Sequence, residues 1–277
     1  MLTPDEERFL KGKAAKLRRL VLEAIYHAQS GHPGGSLSYV EILTVLYFHT
    51  LRFDPRHPAD PGRDRFILSK GHACPALYAI FAELGIISPA ELASLRRVGS
   101  RLQGHPDMTK LPGIEMSSGP LGLGLSAGLG MALAARLDKR DYRTYVVLGD
   151  GELQEGMVWE AAMAAAKFRA GNLTAIVDFN GVQLDGTTDE IMPLGDLAAK
   201  FGSFGWQVME TDGHDVNALA GVFAEAKKAV DKPVVIFART IKGKGVSYME
   251  GRYQWHGQVI DAEKYQLAIA ELEAVKI

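Results

Sequence analysis

Apolar residues recur along this chain with two different periods, and the change from one to the other organises it. Between Asp5 and Gln29 they fall at Leu17, Leu20, Val21, Ala24 and Ile25, the spacing of one helical face, and the pattern stops at Ser30-Gly31. A second helix fits Leu37 to His49. Arg65-Phe66-Ile67-Leu68 is a short apolar run that reads as a strand; a helix follows near Pro75 to Leu84, then a loop-rich stretch from Val98 to Pro120. From Tyr142 the alternation is regular. Tyr145 to Leu148, Leu173 to Val177, Trp206 to Met209 and Val234 to Phe237 read as buried strands, with helices at Leu153 to Phe168, Asp196 to Phe204 and Val216 to Val230. Strands alternating with helices predict an α/β fold, a mainly parallel sheet with helices on both faces. Tyr265, Ile269, Leu272 and Val275 trace a last amphipathic helix at about 261–275, and no linker or repeat interrupts the chain, so residues 1–277 read as one domain.

Composition narrows the function. With 277 residues, 47% of them hydrophobic, the chain can bury a large core, and a net charge of −2 gives neither a basic footprint for nucleic acid nor the signature of disorder. The single cysteine, Cys74, cannot form an internal disulfide and reads as a packed thiol; the first twenty residues lack a signal-peptide core, and no window reaches the apolar length of a membrane span. The expectation is a cytoplasmic protein that binds neither nucleic acid nor membrane. Glycine is the departure: 30 residues, about 11%, against a usual share of about 7%.

Two of those glycines flank Asp150. Gly149-Asp150-Gly151 lies between a predicted strand and a predicted helix, and Asn180 ends the next strand. A crossover of about 30 residues returns the chain to a parallel strand, which puts Asp150 and Asn180 at carboxyl ends of strands, where open α/β sheets bind ligands. Two such oxygen-bearing side chains suit a hard cation, and Mg2+ completes its shell with phosphate and water. Gly149 and Gly151 would let a diphosphate approach, with a helix starting near Glu152 pointing its positive end at it. An Asp-Gly turn in which Asp150 only caps the helix accounts for the same three residues. A dinucleotide fingerprint at Gly119-Pro120-Leu121-Gly122-Leu123-Gly124 fails, because no strand precedes it and Gly128 comes one residue late.

The run Gly149-Asp150-Gly151-Glu152-Leu153-Gln154-Glu155-Gly156 followed by Asn180 resembles the thiamine diphosphate motif of transketolases. The resemblance implies thiamine diphosphate and a divalent ion, Mg2+ or in its place Ca2+ or Mn2+, held by Asp150, Asn180 and the carbonyl of Val182. Phe179 stands where the family commonly has a polar residue and receives no cofactor role. Gly119 and Leu121 resemble the cofactor-lining residues of the family's Gly-Pro-Leu-Gly loop; Gly149, Gly151 and Glu152 complete the expected cofactor set. The loop's purely structural account is a helix entry before the small-residue segment Leu125 to Ala135, where helices pack closely.

Four histidines sit in glycine- or proline-flanked loops, at Gly31-His32-Pro33-Gly34, Gly71-His72-Ala73, Gly104-His105-Pro106 and Trp255-His256-Gly257. Singly, each reads as an ordinary loop histidine. Together they resemble the transketolase set, which implies that His32 and His105 contact substrate oxygens, His256 serves a sugar hydroxyl near the diphosphate, and His72 orients cofactor and substrate. Imidazole suits proton exchange with sugar oxygens near neutral pH. His27, His49, His57 and His214 lack such contexts and read as structural. Glu155 and Glu160 read either as a solvated acidic face or, by resemblance, as dimer-interface glutamates linking two active sites. The run Lys242-Gly243-Lys244-Gly245 resembles a transketolase segment near the cofactor entrance, which makes Lys242 or Lys244 a candidate to meet phosphate.

The resemblance runs from near the start to about Ile260 and matches only the family's diphosphate-binding domain. In transketolases the glutamate that activates the coenzyme lies on a separate pyrimidine-binding domain. The implied protein is the amino-terminal subunit of a split transketolase of the pentose phosphate pathway, assembled with a pyrimidine-domain chain as an α2β2 heterotetramer and acting on sugar phosphates. A deoxyxylulose-phosphate synthase-like enzyme, a transketolase for an unusual ketose and a non-catalytic scaffold are the alternatives.

Overall fold

The computed structural model describes residues 1–274. Helix α1 (Pro4–Ala28) starts where Thr3 closes a capping box: Glu6 N–H donates to Thr3 Oγ1 (3.3 Å) and Thr3 N–H to Glu6 Oε2 (2.8 Å). It buries Leu10, Leu17, Val21 and Ile25 and ends at Gln29, whose φ of 49° breaks the helix. The single helix expected over Leu37 to His49 is instead three pieces: α2 (Pro33–Leu37), α3 (Val40–Val45) and a wide turn at Leu46–Thr50. Pro33 starts a helix early, and the Ser36 and Ser38 hydroxyls bond back to the carbonyls of His32 (2.7 Å) and Gly35 (3.1 Å).

The remaining elements alternate as expected. They are β1 (Arg65–Leu68), α4 (Cys74–Glu83), α5 (Leu123–Leu137), β2 (Thr144–Gly149), α6 (Gly156–Lys167), β3 (Leu173–Phe179), α7 (Thr188–Ile191), α8 (Leu197–Phe204), β4 (Gln207–Asp212), α9 (Val216–Ala226), β5 (Val234–Arg239) and α10 (Ala262–Ala274). Several boundaries differ from the sequence pattern: β4 runs on to Asp212, and the short α7 stands where no element was expected. The helix expected from Leu153 begins at Gly156, because Gly151–Gln154 forms a tight 3-10 turn, and the helix expected to reach Val230 stops at Ala226. The last helix lies where expected, with Tyr265 and Ile269 partly buried and Leu272 buried; Val275 lies outside the described residues.

All strand pairs are parallel, in the order β1-β2-β3-β5-β4. The near-continuous apolar runs divide by the two-residue pleat. Tyr145, Val147, Ile176, Val234 and Ile236 face the core shared with α1, α4 and α9, while Val146, Leu148, Ala175, Val177 and Val235 face the core shared with α5, α6 and α8. Small residues bring α5 close: a methyl group on Gly128 would overlap Val146 Cγ2. The chain crosses the sheet from β1 to β3, leaves for the β4 edge and returns to fill the gap between β3 and β4 with β5.

A buried ionic group ties the helical layer together. Arg18 of α1 donates to Glu41 of α3 (2.6 Å), and His214, in the β4–α9 turn, contacts the same carboxylate oxygen through Nδ1 at 3.0 Å. Ile241 N–H donates to His214 Nε2 (2.9 Å), which leaves Nδ1 as the ring's donor and gives this histidine a structural part. Burial pushes the Glu41 carboxyl up, but Arg18 and His214 outweigh it and hold the group at about 2, against 4.5 in a free chain. A carboxyl depressed in this way stabilises the fold above about pH 4.5 and loses that contribution as the pH falls toward 2. Replacing Glu41 by Gln leaves Arg18 buried and under-compensated, and should cost about 3–5 kcal/mol at neutral pH. In urea unfolding, the gap between wild type and Glu41→Gln should narrow steadily between about pH 5 and about pH 3; a gap that does not change with pH would contradict this assignment.

Candidate functional site

The carboxyl ends of β2 and β3 are adjacent, with Gly149 opposite Asp178 in the register. Asp150, 2% exposed, bridges them. Its Oδ1 accepts from Gly151 N–H (2.8 Å) and its Oδ2 from Gly181 N–H (2.5 Å), so the carboxylate caps its own turn and also clasps the tip of the neighbouring strand. The capping account of Asp150 thus describes only one of its two oxygens. Gly181 presents its N–H from a left-handed backbone, φ 72°, that disfavours a side chain. Burial, reinforced by the charge of Asp178, pushes the Asp150 carboxyl up to about 6 despite the two N–H donors.

Asn180 is oriented from both ends. Its Nδ2 donates to Asp178 Oδ2 (3.2 Å), while its Oδ1 accepts from Val182 N–H (3.1 Å). The carbonyls of Val182 and Gln183 accept from Lys242 Nζ at 3.2 and 3.1 Å. Asp150, Asn180 and Val182 share one cavity of about 260 Å3 with Gly149, Gly151, Leu121, His72 and His256. Among the described residues, no group of three or more His, Cys, Asp or Glu side chains is arranged to hold a metal. A cation here could draw only on one carboxylate together with amide and carbonyl oxygens, a set that suits a hard ion with further oxygen ligands from elsewhere.

Glu152 is buried, and its Oε1 accepts from Gly122 N–H (2.8 Å) while its Oε2 accepts from Gly149 N–H (3.1 Å); Ser69 Oγ also donates to it. The carboxylate thereby pins the Gly119–Gly124 loop against the end of β2, with Leu121 on the cavity wall. Gly119 sits apart from that wall, against the His105 ring. Glu155, at the start of α6, is exposed at the cavity rim, and Glu160 is exposed on the same helix. Lys242 is buried in the site, with its amine lowered to about 8 by burial and by Lys70, whereas Lys244 pairs with Glu250 at 3.4 Å.

Three of the four loop histidines meet. The His32 ring lies 5.0 Å from His72 and 5.2 Å from His256, and His72 stacks on His256 at 5.0 Å. His105 reaches the group through Arg96, whose guanidinium spans Ser30, His32 and the carbonyl of Gly104. Burial, together with Arg96, lowers His32 to about 4; burial with Lys242 lowers His256 to about 3, and His72 and His105 are lowered chiefly by burial. Cys74 opens α4, fully buried, and donates to Gly104 O (3.3 Å), its thiol pushed up to about 12 by burial.

The sequence pattern gave no role to Asp178 or Lys70, which form a fully buried ion pair behind Asn180. Ser38 Oγ (2.5 Å) and Thr240 Oγ1 also donate to Asp178, and together with Lys70 they hold its carboxyl below the usual range against burial. An aspartate inside the apolar run Leu173–Phe179 was the available signal, since a buried carboxylate requires a partner.

The family described as "Transketolase, thiamine diphosphate binding domain" matches residues 11–272. The chain belongs to this transketolase family. It is 45% identical over 269 residues to a 6-deoxy-6-sulfo-D-fructose transketolase subunit SqwG from a Clostridium species, covering 97% of this chain and 98% of that one. It is 44% identical over 263 residues to one subunit of an apulose-4-phosphate transketolase from Phocaeicola vulgatus, covering 95% and 93%. A transketolase from Pichia stipitis, solved in complex with sedoheptulose-7-phosphate, superposes with a TM-score of 0.91 at 34% identity. That match covers 95% of this chain and 40% of the Pichia chain, so this chain spans well under half of that transketolase. The sheet and its flanking helices are the transketolase amino-terminal fold, and among the described residues no helix is long and apolar enough to cross a membrane.

Three crowded rings beside Lys242 and Arg96 should be uncharged at neutral pH. In a proton NMR titration of the full chain, the ring signals of His32 and His256 should stay at their neutral positions down to about pH 5.5 and move only near pH 4 and below. A midpoint near 6.5 for either ring would contradict the packing described.

Proposed function

We propose that this chain is the diphosphate-binding subunit of a two-chain transketolase, which moves a two-carbon ketol unit between sugar phosphates with thiamine diphosphate and Mg2+. The observation that carries the reading is the clasp of Asp150 across two strand tips, beside a cavity lined by Asp150, Asn180, Val182, His72 and His256. Asp150 also fits a cation electrostatically: it is a buried carboxylate whose own surroundings leave it under-neutralised. Asp150, Asn180 and the Val182 carbonyl would hold the metal, and Gly149, Gly151, Leu121 and His72 would face the coenzyme. When bound, the coenzyme supplies the electron sink for carbon–carbon cleavage beside a carbonyl.

The protein's own contribution is binding, orientation and proton traffic. Lys242 has no acceptor to offer, so its contact with His256 Nδ1 (3.0 Å) leaves that ring's hydrogen on Nε2. With its hydrogen on Nε2, His256 can donate to a sugar oxygen, and neutral imidazoles at His32 and His105 can do the same. The coenzyme-activating glutamate would come from a pyrimidine-domain chain, in an α2β2 assembly with Glu155 and Glu160 near its interface. The two relatives named as subunits carry the names of uncommon ketoses, which favours an unusual ketose phosphate or sulfonate as donor. A cytoplasmic location completes the proposal.

Calorimetry on the complex should show thiamine diphosphate binding that disappears on chelation of the metal. Asp150→Ala should weaken it by more than about 100-fold while leaving the unfolding transition cooperative; unchanged affinity would favour a scaffold. The chain alone should give no ketol transfer, and the pyrimidine-domain chain should restore it. Turnover by the isolated chain would refute the division of labour.

A further inference from the structure

We propose that Arg96 is a positioning residue: its guanidinium fixes His32 in the tautomer that carries hydrogen on Nε2, so that this ring offers a donor to a ligand oxygen. Arg96 Nη2 lies 3.3 Å from His32 Nδ1. A guanidinium has five donors and no acceptor, and it keeps its charge in proteins. Nδ1 can meet it only as an acceptor, which leaves the ring hydrogen on Nε2.

The arginine is itself held at several points. Nη1 donates to Ser30 Oγ (3.0 Å), two residues before His32, and Nη2 also reaches Gly104 O at 3.4 Å, one residue before His105. One planar fork therefore spans both histidine loops. The backbone of Arg96 takes the left-handed φ of 58°, rare for a residue with a side chain, and its N–H is tied to Leu102 O (2.8 Å). Burial, and after it the same positive charge, opposes protonation of His32, so the ring stays a neutral donor. His256 is set in the same way by Lys242. Two cations thus orient two rings 5.2 Å apart with Nδ1 as the acceptor in each.

The inference deepens the proposed function, since the ligand oxygen it serves belongs to the sugar phosphate of that reading. Its test does not need that reading to be correct. Ring nitrogen-15 correlation spectra of the full chain at neutral pH, without ligand, should show His32 with an unprotonated Nδ1 and a protonated Nε2. Arg96→Met should convert His32 to a mixture of tautomers, and Arg96→Lys, which keeps a donor, should restore most of the wild-type pattern. A wild-type His32 protonated on Nδ1 would overturn the proposal without any variant. So would an Arg96→Met chain, folded by circular dichroism, whose His32 pattern is unchanged. Failure of thiamine diphosphate to bind would count against the proposed function and leave this result standing.

Discussion

A single carboxylate in a place where charge is costly organises the site. Asp150 sits at the end of a buried strand, itself almost wholly buried, and its two oxygens are each met by a backbone N–H. Those two bonds do not fully compensate it, because Asp178 lies close enough to oppose its ionisation. The second carboxylate is neutralised from behind by Lys70 and three further donors. The strand tips are consequently held together by one anion that is satisfied and one that is not, and the unsatisfied one faces the cavity. The electrostatic complement of that imbalance is a positive charge.

Around this charge pattern the sheet acts as a ruler. Parallel pairing sets β2 and β3 side by side, and the apolar alternation locks the register, because a slip of one residue would turn every core side chain to the wrong face. The loops that carry His32, His72, His105 and His256 come from widely separated parts of the chain. They converge because buried polar contacts pull them in: Tyr39 Oη on Ala73 O, Cys74 on Gly104, Arg96 on both His32 and Gly104, and Lys242 on His256. The resulting imidazoles are kept neutral by burial and by neighbouring cations.

Much of this was legible in the residues themselves. Strands such as Val234 to Phe237 stand out because a strand covered on both faces is apolar throughout, and the Gly-Asp-Gly run and two of the loop histidines lie at the end of the sheet that carries the cavity. The helix starts were less legible. Glu152 looks like the first turn of an amphipathic helix, yet its side chain is recruited by Ser69, Gly122 and Gly149, and the backbone forms a tight turn before α6 begins. Similarly, Ser38 stands where a helix that apolar spacing alone would continue is broken. Asp178, Lys70 and Arg96 were silent because their importance lies in partners distant in sequence: a pattern read along the chain records neighbours, and these residues act across it.

Gly181 carries a consequence for how such a site can change over generations. A side chain there would meet open space, so crowding is no obstacle. The obstacle is the sign of its φ angle, which most residues adopt only with strain. Sequence drift at this position is therefore confined to glycine and, less comfortably, asparagine, although the residue offers no side chain to any ligand. The constraint at this point is a peptide bond's orientation, and a substitution there would strain the clasp on Asp150 while leaving every named side chain in the sequence intact.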